Sequence, residues 1–244
     1  MKRIVIFTEG KTERIFVREC LLRLFDPAKI SFECYELLAH NLLAAPYVYP
    51  DAPNPHAEMF FMIVDCHGDE GVLSTIKERE HNLIGKGYDA ILGLRDMYCD
   101  TYHRLAHGLI KDSVSKRLMQ THAAEIQRMN HYDRIKLYYA IMEIEAWLLG
   151  MYDLFQKIDP ILTTEYIKQK LGIDLKSIDP QLSFYRPSEE LNSVLALCGR
   201  QYKKKEGDVE GLCAKIELKD LDDVINNNRC KSFREFRDAI VGYG

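Results

Sequence analysis

The sequence has no apolar run approaching the roughly 20 residues that span a bilayer, so it predicts no membrane-crossing helix and no membrane partner. It has no Cys-x-x-Cys, which argues against a structural zinc site. Its seven cysteines are odd in number and lack paired spacing, the pattern of a reducing compartment rather than of a disulfide framework. It has no excess of positive charge. Lys and Arg number 33 against 37 Asp and Glu, giving a formal charge of −4 and a pI near 6.1. A chain so balanced has no global attraction to nucleic acid or anionic membrane, so any nucleic-acid contact must rest on a local patch or on metal ions. There is no internal repeat and no low-complexity tract. Glycine is scarce where nucleotide loops need it. Gly10-Lys11-Thr12 matches the tail of a P-loop, but the position five residues earlier is Val5, and the dinucleotide fingerprint fails because the turn holds one glycine. The chain opens on a strand and not on a signal peptide, so the expected location is the cytoplasm.

What is present begins with a short continuous apolar run, Ile4 to Phe7, which suits a strand buried on both faces. Thr8-Glu9-Gly10 ends it, with glycine admitting a sharp turn. Thr12 is the expected N-cap of a following helix, and Glu13 lies in its first turn, where negative charge is favoured. Ile15, Phe16, Cys20, Leu21, Leu22 and Leu24 recur at helical spacing. This strand, turn and helix put Glu9 at the carboxyl end of a parallel strand, where open α/β sheets place their ligands. A carboxylate on such a turn suits a hard cation.

The remainder repeats the alternation. Ser31 to Leu38 predicts a second strand, Met59 to Val64 a third and Tyr88 to Leu94 a fourth. Val72, Ile76 and Leu83 fit a helix between the last two. Four of the eight prolines, Pro46, Pro50, Pro53 and Pro55, crowd one segment with Tyr47 and Tyr49, which predicts an extended surface loop. His107 to His131 has helical spacing, Arg134 to Ile141 reads as a strand, and Glu143 to Leu154 as a helix carrying Trp147. Strands alternating with helices predict an α/β fold with a mainly parallel sheet and right-handed crossovers. Strand signals vanish after Asp159. Residues 1–155 are therefore the expected α/β domain, and 156–244 a mostly helical region packed on it. At 244 residues and 47% hydrophobic content, that is one large domain or one domain with an appendage.

Four stretches, in order, carry a family resemblance. Thr8-Glu9-Gly10-x-Thr12-Glu13, after a strand and before a helix, resembles the opening of a Toprim domain as found in the OLD-like nucleases and the DUF4276 family. Ile91-Leu-Gly-Leu-Arg-Asp96-Met-Tyr98-Cys-Asp100 resembles the later Toprim strand that ends in Asp-x-Asp. Ala140 to Leu149, and Tyr202-Lys-Lys204 followed by Ile216 and Phe233, resemble DUF4276 sequences. The resemblance implies a Toprim-like fold, a Mg2+ or Mn2+ cofactor, and Glu9 with Asp96 as catalytic metal ligands. Tyr98 stands where the second Asp of the pair is expected, and Asp100 is a substitute from the same loop.

Further candidates surround these. The resemblance places Glu143 and Glu145 by the acidic site. On a regular helix they diverge by about 200°, so one faces the cation, and Glu145, beside Ala146-Trp147, is the favoured catalytic group. Glu143 and Glu13 are further metal candidates, with a plain helix-dipole role as the alternative. Asp65 and His67 flank another strand end, where His67 is either an acid or base or a turn histidine. Arg200, Tyr202, Lys203, Lys204 and Lys205 form the densest basic cluster, suited to backbone phosphates and a stacked base, or else to a solvated face. Trp147 and Tyr138-Tyr139 read as core. The expected activity is a metal-dependent phosphodiester hydrolase, a nuclease acting on DNA or RNA. The family setting adds an ATPase partner in phage defence, and the absence of a Walker motif puts ATP chemistry in that partner. The rival is a binding or regulatory subunit with a degenerate Toprim fold.

Overall fold

The structure is a computed structural model that describes residues 1–45, 54–68, 71–204 and 207–244. Pro46, Pro50, Pro53, Tyr47 and Tyr49 of the proline-rich segment, and Lys205 of the basic cluster, lie outside the described residues. The chain forms two compact units. The first comprises 1–95, 113–139 and 239–244, and the second 96–112 and 140–238.

The elements run β1 (Lys2–Thr8), α1 (Lys11–Leu24), β2 (Ile30–Leu38), β3 (Asn41–Ala44), β4 (Met59–Asp65), α2 (Gly71–Gly85), β5 (Ala90–Asp96), α3 (Asp100–Ala106), α4 (Asp112–Ile126) and β6 (Ile135–Ala140). Helices α5 (Glu145–Gly150), α6 (Leu154–Ile158), α7 (Thr164–Leu171), α8 (Pro180–Ser183), α9 (Pro187–Ala196), α10 (Asp208–Cys213), α11 (Leu218–Asn226) and α12 (Lys231–Val241) follow. The fold is α/β, with a six-stranded, mostly parallel sheet flanked by helices, in the order β3-β2-β4-β1-β5-β6.

In the first unit, β1 pairs in parallel with β4 and β5, and β2 in parallel with β4. Ile4, Val5, Ile6 and Phe7 are wholly buried, which is why β1 reads as a continuous apolar run and not as an alternation. Val5 and Phe7 join Val64, Ile91 and the α2 residues Val72, Ile76 and Leu83 in one cluster on one face. Gly93 permits the close approach of α2. A Cβ there would lie 2.5 Å from the Leu137 side chain and 3.0 Å from that of Val72.

Two local expectations are corrected and one strand is additional to them. Helix α1 starts at Lys11 with Gly10 as N-cap in an extended conformation, so Thr12 is a helical residue and the turn needs no left-handed glycine. The four residues of β3 return antiparallel to β2, a hairpin too short to show periodicity. The span 107–131 keeps helix only over α4, after His107 closes α3 in the left-handed conformation.

In the second unit no strand follows Ala140 among the described residues. Its core holds Trp147, Phe155, Phe233 and Phe236, each at most 1% exposed. The Trp147 ring lies 5.3 Å from Phe233 and 5.7 Å from Phe236, and its indole N–H donates to Ser232 Oγ at 3.0 Å.

Candidate functional site

The second unit gathers three carboxylates around one ammonium. Asp96 closes β5, and its Oδ1 accepts the Ile144 backbone N–H at 3.0 Å. The next two residues hold the same backbone stretch, with Met97 N–H donating to Ala140 O at 2.8 Å and Tyr98 N–H to Met142 O at 2.7 Å. Met142 takes a left-handed φ of 67°, a conformation that costs an ordinary residue on the order of 1 kcal/mol. That turn delivers Glu143 ahead of α5 and Glu145 at its first position.

Glu143 and Glu145 therefore do not share a regular helix, and the 200° divergence does not apply. Glu143 Oε2 accepts the Ser188 backbone N–H at 2.8 Å and its Oε1 the Ser188 hydroxyl at 3.0 Å. Arg186, the N-cap of α9, makes no side-chain cap, so a carboxylate from elsewhere in the unit satisfies that helix start. Glu145 is wholly buried. Its Oε1 accepts the Tyr202 hydroxyl at 2.8 Å and the Lys204 ammonium at 2.9 Å, while its Oε2 is buried without a hydrogen bond. Lys204 Nζ also lies 3.7 Å from Glu143 Oε1. Burial works against the Lys204 charge, but Glu145, then Asp96, then Glu143 outweigh it and hold its pKa well above the ordinary value.

The other sequence candidates are placed as follows. Glu9 and Glu13 belong to the first unit. Glu9 follows β1, its N–H donating to Leu94 O at 3.1 Å and its carbonyl accepting from Gly68 N–H at 2.9 Å; Glu13 is buried in the first turn of α1. Asp100 opens α3 behind a Cys99 cap and is exposed. Arg200 and Lys203 are exposed, and Arg200 Nη2 donates to Ile158 O at 3.3 Å. Tyr202 is buried with its hydroxyl committed to Glu145, so the expected base-stacking ring is instead a positioning contact of the carboxylate cluster. Trp147 and Tyr139 are buried.

Sequence reasoning missed Ser188 and the Lys204–Glu145 contact, which joins residues 59 positions apart. It also missed a second polar group in the first unit. Register aligns Glu36, Asp65 and Thr8 at the carboxyl ends of β2, β4 and β1. Arg14, 1% exposed, binds Glu36 at 2.8 Å. The place of Arg14 next to the apolar stretch Ile15-Phe16-Val17, beside the equally charged Glu13, gave no signal of burial. Asp65 Oδ1 accepts the His67 backbone N–H at 2.9 Å, and its Oδ2 is buried without a hydrogen bond. Burial pushes the Asp65 carboxyl up, against the pull of the His67 N–H, the His67 ring and Arg14.

All the donors beside Lys204 are carboxylate oxygens, the chemistry of Mg2+ or Mn2+. Among the described residues three carboxylates face the Lys204 ammonium, and Glu145 Oε2 is buried without a hydrogen bond. The residues thus fit a hard divalent cation in donor type. Among the described residues no group of three or more His, Cys, Asp or Glu is arranged to hold a metal ion. Comparisons with protein-family models, curated proteins and solved structures give no significant match.

Proposed function

We propose that the chain is a metal-dependent phosphodiester hydrolase of the Toprim type, a nuclease acting on DNA or RNA. The observation that carries this is Glu145, wholly buried beside two further carboxylates with one oxygen unpartnered. A buried carboxylate oxygen without a hydrogen bond is costly unless a cation or proton meets it.

Asp96 and Glu145 are the residues that would hold Mg2+ or Mn2+, with substrate and water completing the shell. Such an ion supplies polarisation of the phosphoryl oxygen and an acidified water. Tyr202 fixes Glu145 Oε1, which directs Oε2 to the free side. Glu143, held by Ser188, keeps the Lys204 ammonium in place. Lys204 donates to a non-bridging phosphate oxygen and offsets the charge that grows there. Exposed Lys203 and Arg200 attract the flanking backbone. The family resemblance supplies the setting, phage defence beside an ATPase partner in the cytoplasm.

Calorimetry with manganese in the presence of an oligonucleotide, together with a cleavage assay, tests this. Wild type should bind the ion and cleave. Glu145→Gln should lower cleavage by about 100-fold or more, as loss of a charged transition-state partner does. One observation favours a second reading, a binding or regulatory subunit without catalysis: the Lys204 ammonium sits among the carboxylates where a cation would. Wild-type protein that takes up no manganese even with oligonucleotide present selects that reading.

A further inference from the structure

We infer that Tyr98, His103 and Tyr185, beside the Arg186 guanidinium, form a stacking platform for the bases of a single-stranded nucleic acid. This rests on the nucleic-acid reading above and narrows its substrate class.

The three rings form a triangle. Their centroids lie 5.4 Å apart for Tyr98 and Tyr185, 6.3 Å for Tyr98 and His103, and 6.2 Å for His103 and Tyr185. His103 is exposed and the two tyrosines are half-buried, whereas the large aromatics that fill this unit's core are Trp147, Phe155, Phe233 and Phe236. The triangle therefore sits at the surface. Tyr98 and Tyr185 meet at 77°, edge to face, an arrangement that uses one of their four π faces. The group is preorganised. The Tyr98 backbone is bound to Met142 O at 2.7 Å, and His103 Nδ1 lies 2.9 Å from the Tyr185 hydroxyl.

Charge accompanies the rings. The Arg186 guanidinium lies 5.9 Å from the Tyr98 ring centre. Its carboxylate partner is Glu189 at 2.6 Å, and both side chains are more than half exposed, so the pair is weak and a phosphate can replace the carboxylate. Aromatic faces joined to an exposed guanidinium are what single strands use, because every unpaired base offers a π face to stack and a phosphate to bind. In a duplex those faces are already stacked on one another. Tyr98 follows Asp96 by two residues, and both are tied to the same turn, with Tyr98 N–H donating to Met142 O and Asp96 Oδ1 accepting the Ile144 N–H. The stacking role gives position 98 a use that an aspartate lacks.

The test is fluorescence anisotropy in EDTA with a labelled oligo(dT) and an abasic oligomer of equal length. Wild type should prefer oligo(dT). Tyr98→Leu and Tyr185→Leu should each weaken oligo(dT) binding by about 5- to 100-fold, the range for loss of one base–aromatic stack, and leave abasic binding within about twofold. Tyr98→Phe should restore the preference, which separates stacking from folding. Equal wild-type affinity for the two oligomers, or equal losses on both in the Leu variants, overturns the platform. Manganese cleavage of the same oligo(dT) separates the two claims. Ring-dependent binding without cleavage overturns the nuclease and keeps the platform, whereas cleavage with ring-independent binding overturns the platform alone. Wild type that binds neither oligomer overturns the platform, and absence of manganese cleavage as well overturns both.

Discussion

Replacing Lys204 by methionine removes the ammonium that pairs with Glu145 while keeping a side chain of similar reach. Breaking a fully buried ion pair from one side costs about 3–5 kcal/mol. Glu145 meets that condition, being wholly buried, but Lys204 is 40% exposed and water reaches its end of the contact. Tyr202 also keeps its 2.8 Å hydrogen bond to the same carboxylate oxygen. The expected loss falls to about 1–3 kcal/mol, the range for an unsatisfied buried polar group. Urea unfolding followed by tryptophan emission measures it, since Trp147 is the chain's single tryptophan, is wholly buried and lies two residues from Glu145. The pH dependence has a fixed sign. The folded pKa of Lys204 is raised, so its stabilisation is complete below the unfolded value of about 10.4 and is lost only as pH climbs through the higher folded value. The difference between wild type and variant should stay level from about pH 6 to pH 9 and shrink above about pH 10. The double variant with Glu145→Gln should recover part of the loss, a coupling on the order of 1–2 kcal/mol. A single variant within about 0.5 kcal/mol of wild type would refute the account of Lys204 as the counter-ion of a buried carboxylate.

Gly93→Ala should destabilise the first unit by about 1–3 kcal/mol, because the added methyl meets Leu137, Val72 and Ile76 at 3.1 Å or less; far-UV circular dichroism during urea unfolding reads the shift. Asp65→Asn should leave stability at pH 7 equal or higher, since burial holds the native carboxyl pKa above its unfolded value, and the ionised form opposes folding once pH exceeds that value. Any advantage of the variant should vanish below about pH 4, where the native carboxyl is protonated in both states. A variant less stable at pH 7 than at pH 4, relative to wild type, would show that His67 and Arg14 outweigh burial.

The sheet was legible where burial is symmetric. Strands β1, β4 and β5 announce themselves as uninterrupted apolar runs, because helices cover both faces and no position needs to be polar. Strand signals vanish from the sequence after Asp159, whereas among the described residues the last strand already ends at Ala140. What escaped was set by single backbone turns. The left-handed Met142 keeps Glu143 out of α5, and nothing in the spacing of Glu143 and Glu145 announces it. Likewise β3 is four residues long and partly exposed, too short for alternation to rise above chance. Of the candidate site, Asp96, Glu143 and Glu145 were named from resemblance and position. The partner that brings them together, Lys204, was read as part of a phosphate patch because a run of basic residues carries no record of what it folds against.

Lys204 and Glu145 illustrate why such a cluster resists a reading by residue type. Lys204 holds a left-handed φ of 55°, which costs a non-glycine residue on the order of 1 kcal/mol. Strain of that size persists where another contact offsets it, and the contact in reach is a charge-assisted hydrogen bond to a wholly buried carboxylate. The carboxylate needs the ammonium in turn, since Tyr202 satisfies only one oxygen and brings no charge. The Glu145 Oε2 stays buried without a hydrogen bond. The strained lysine backbone and the buried carboxylate are thus each offset by the contact they share.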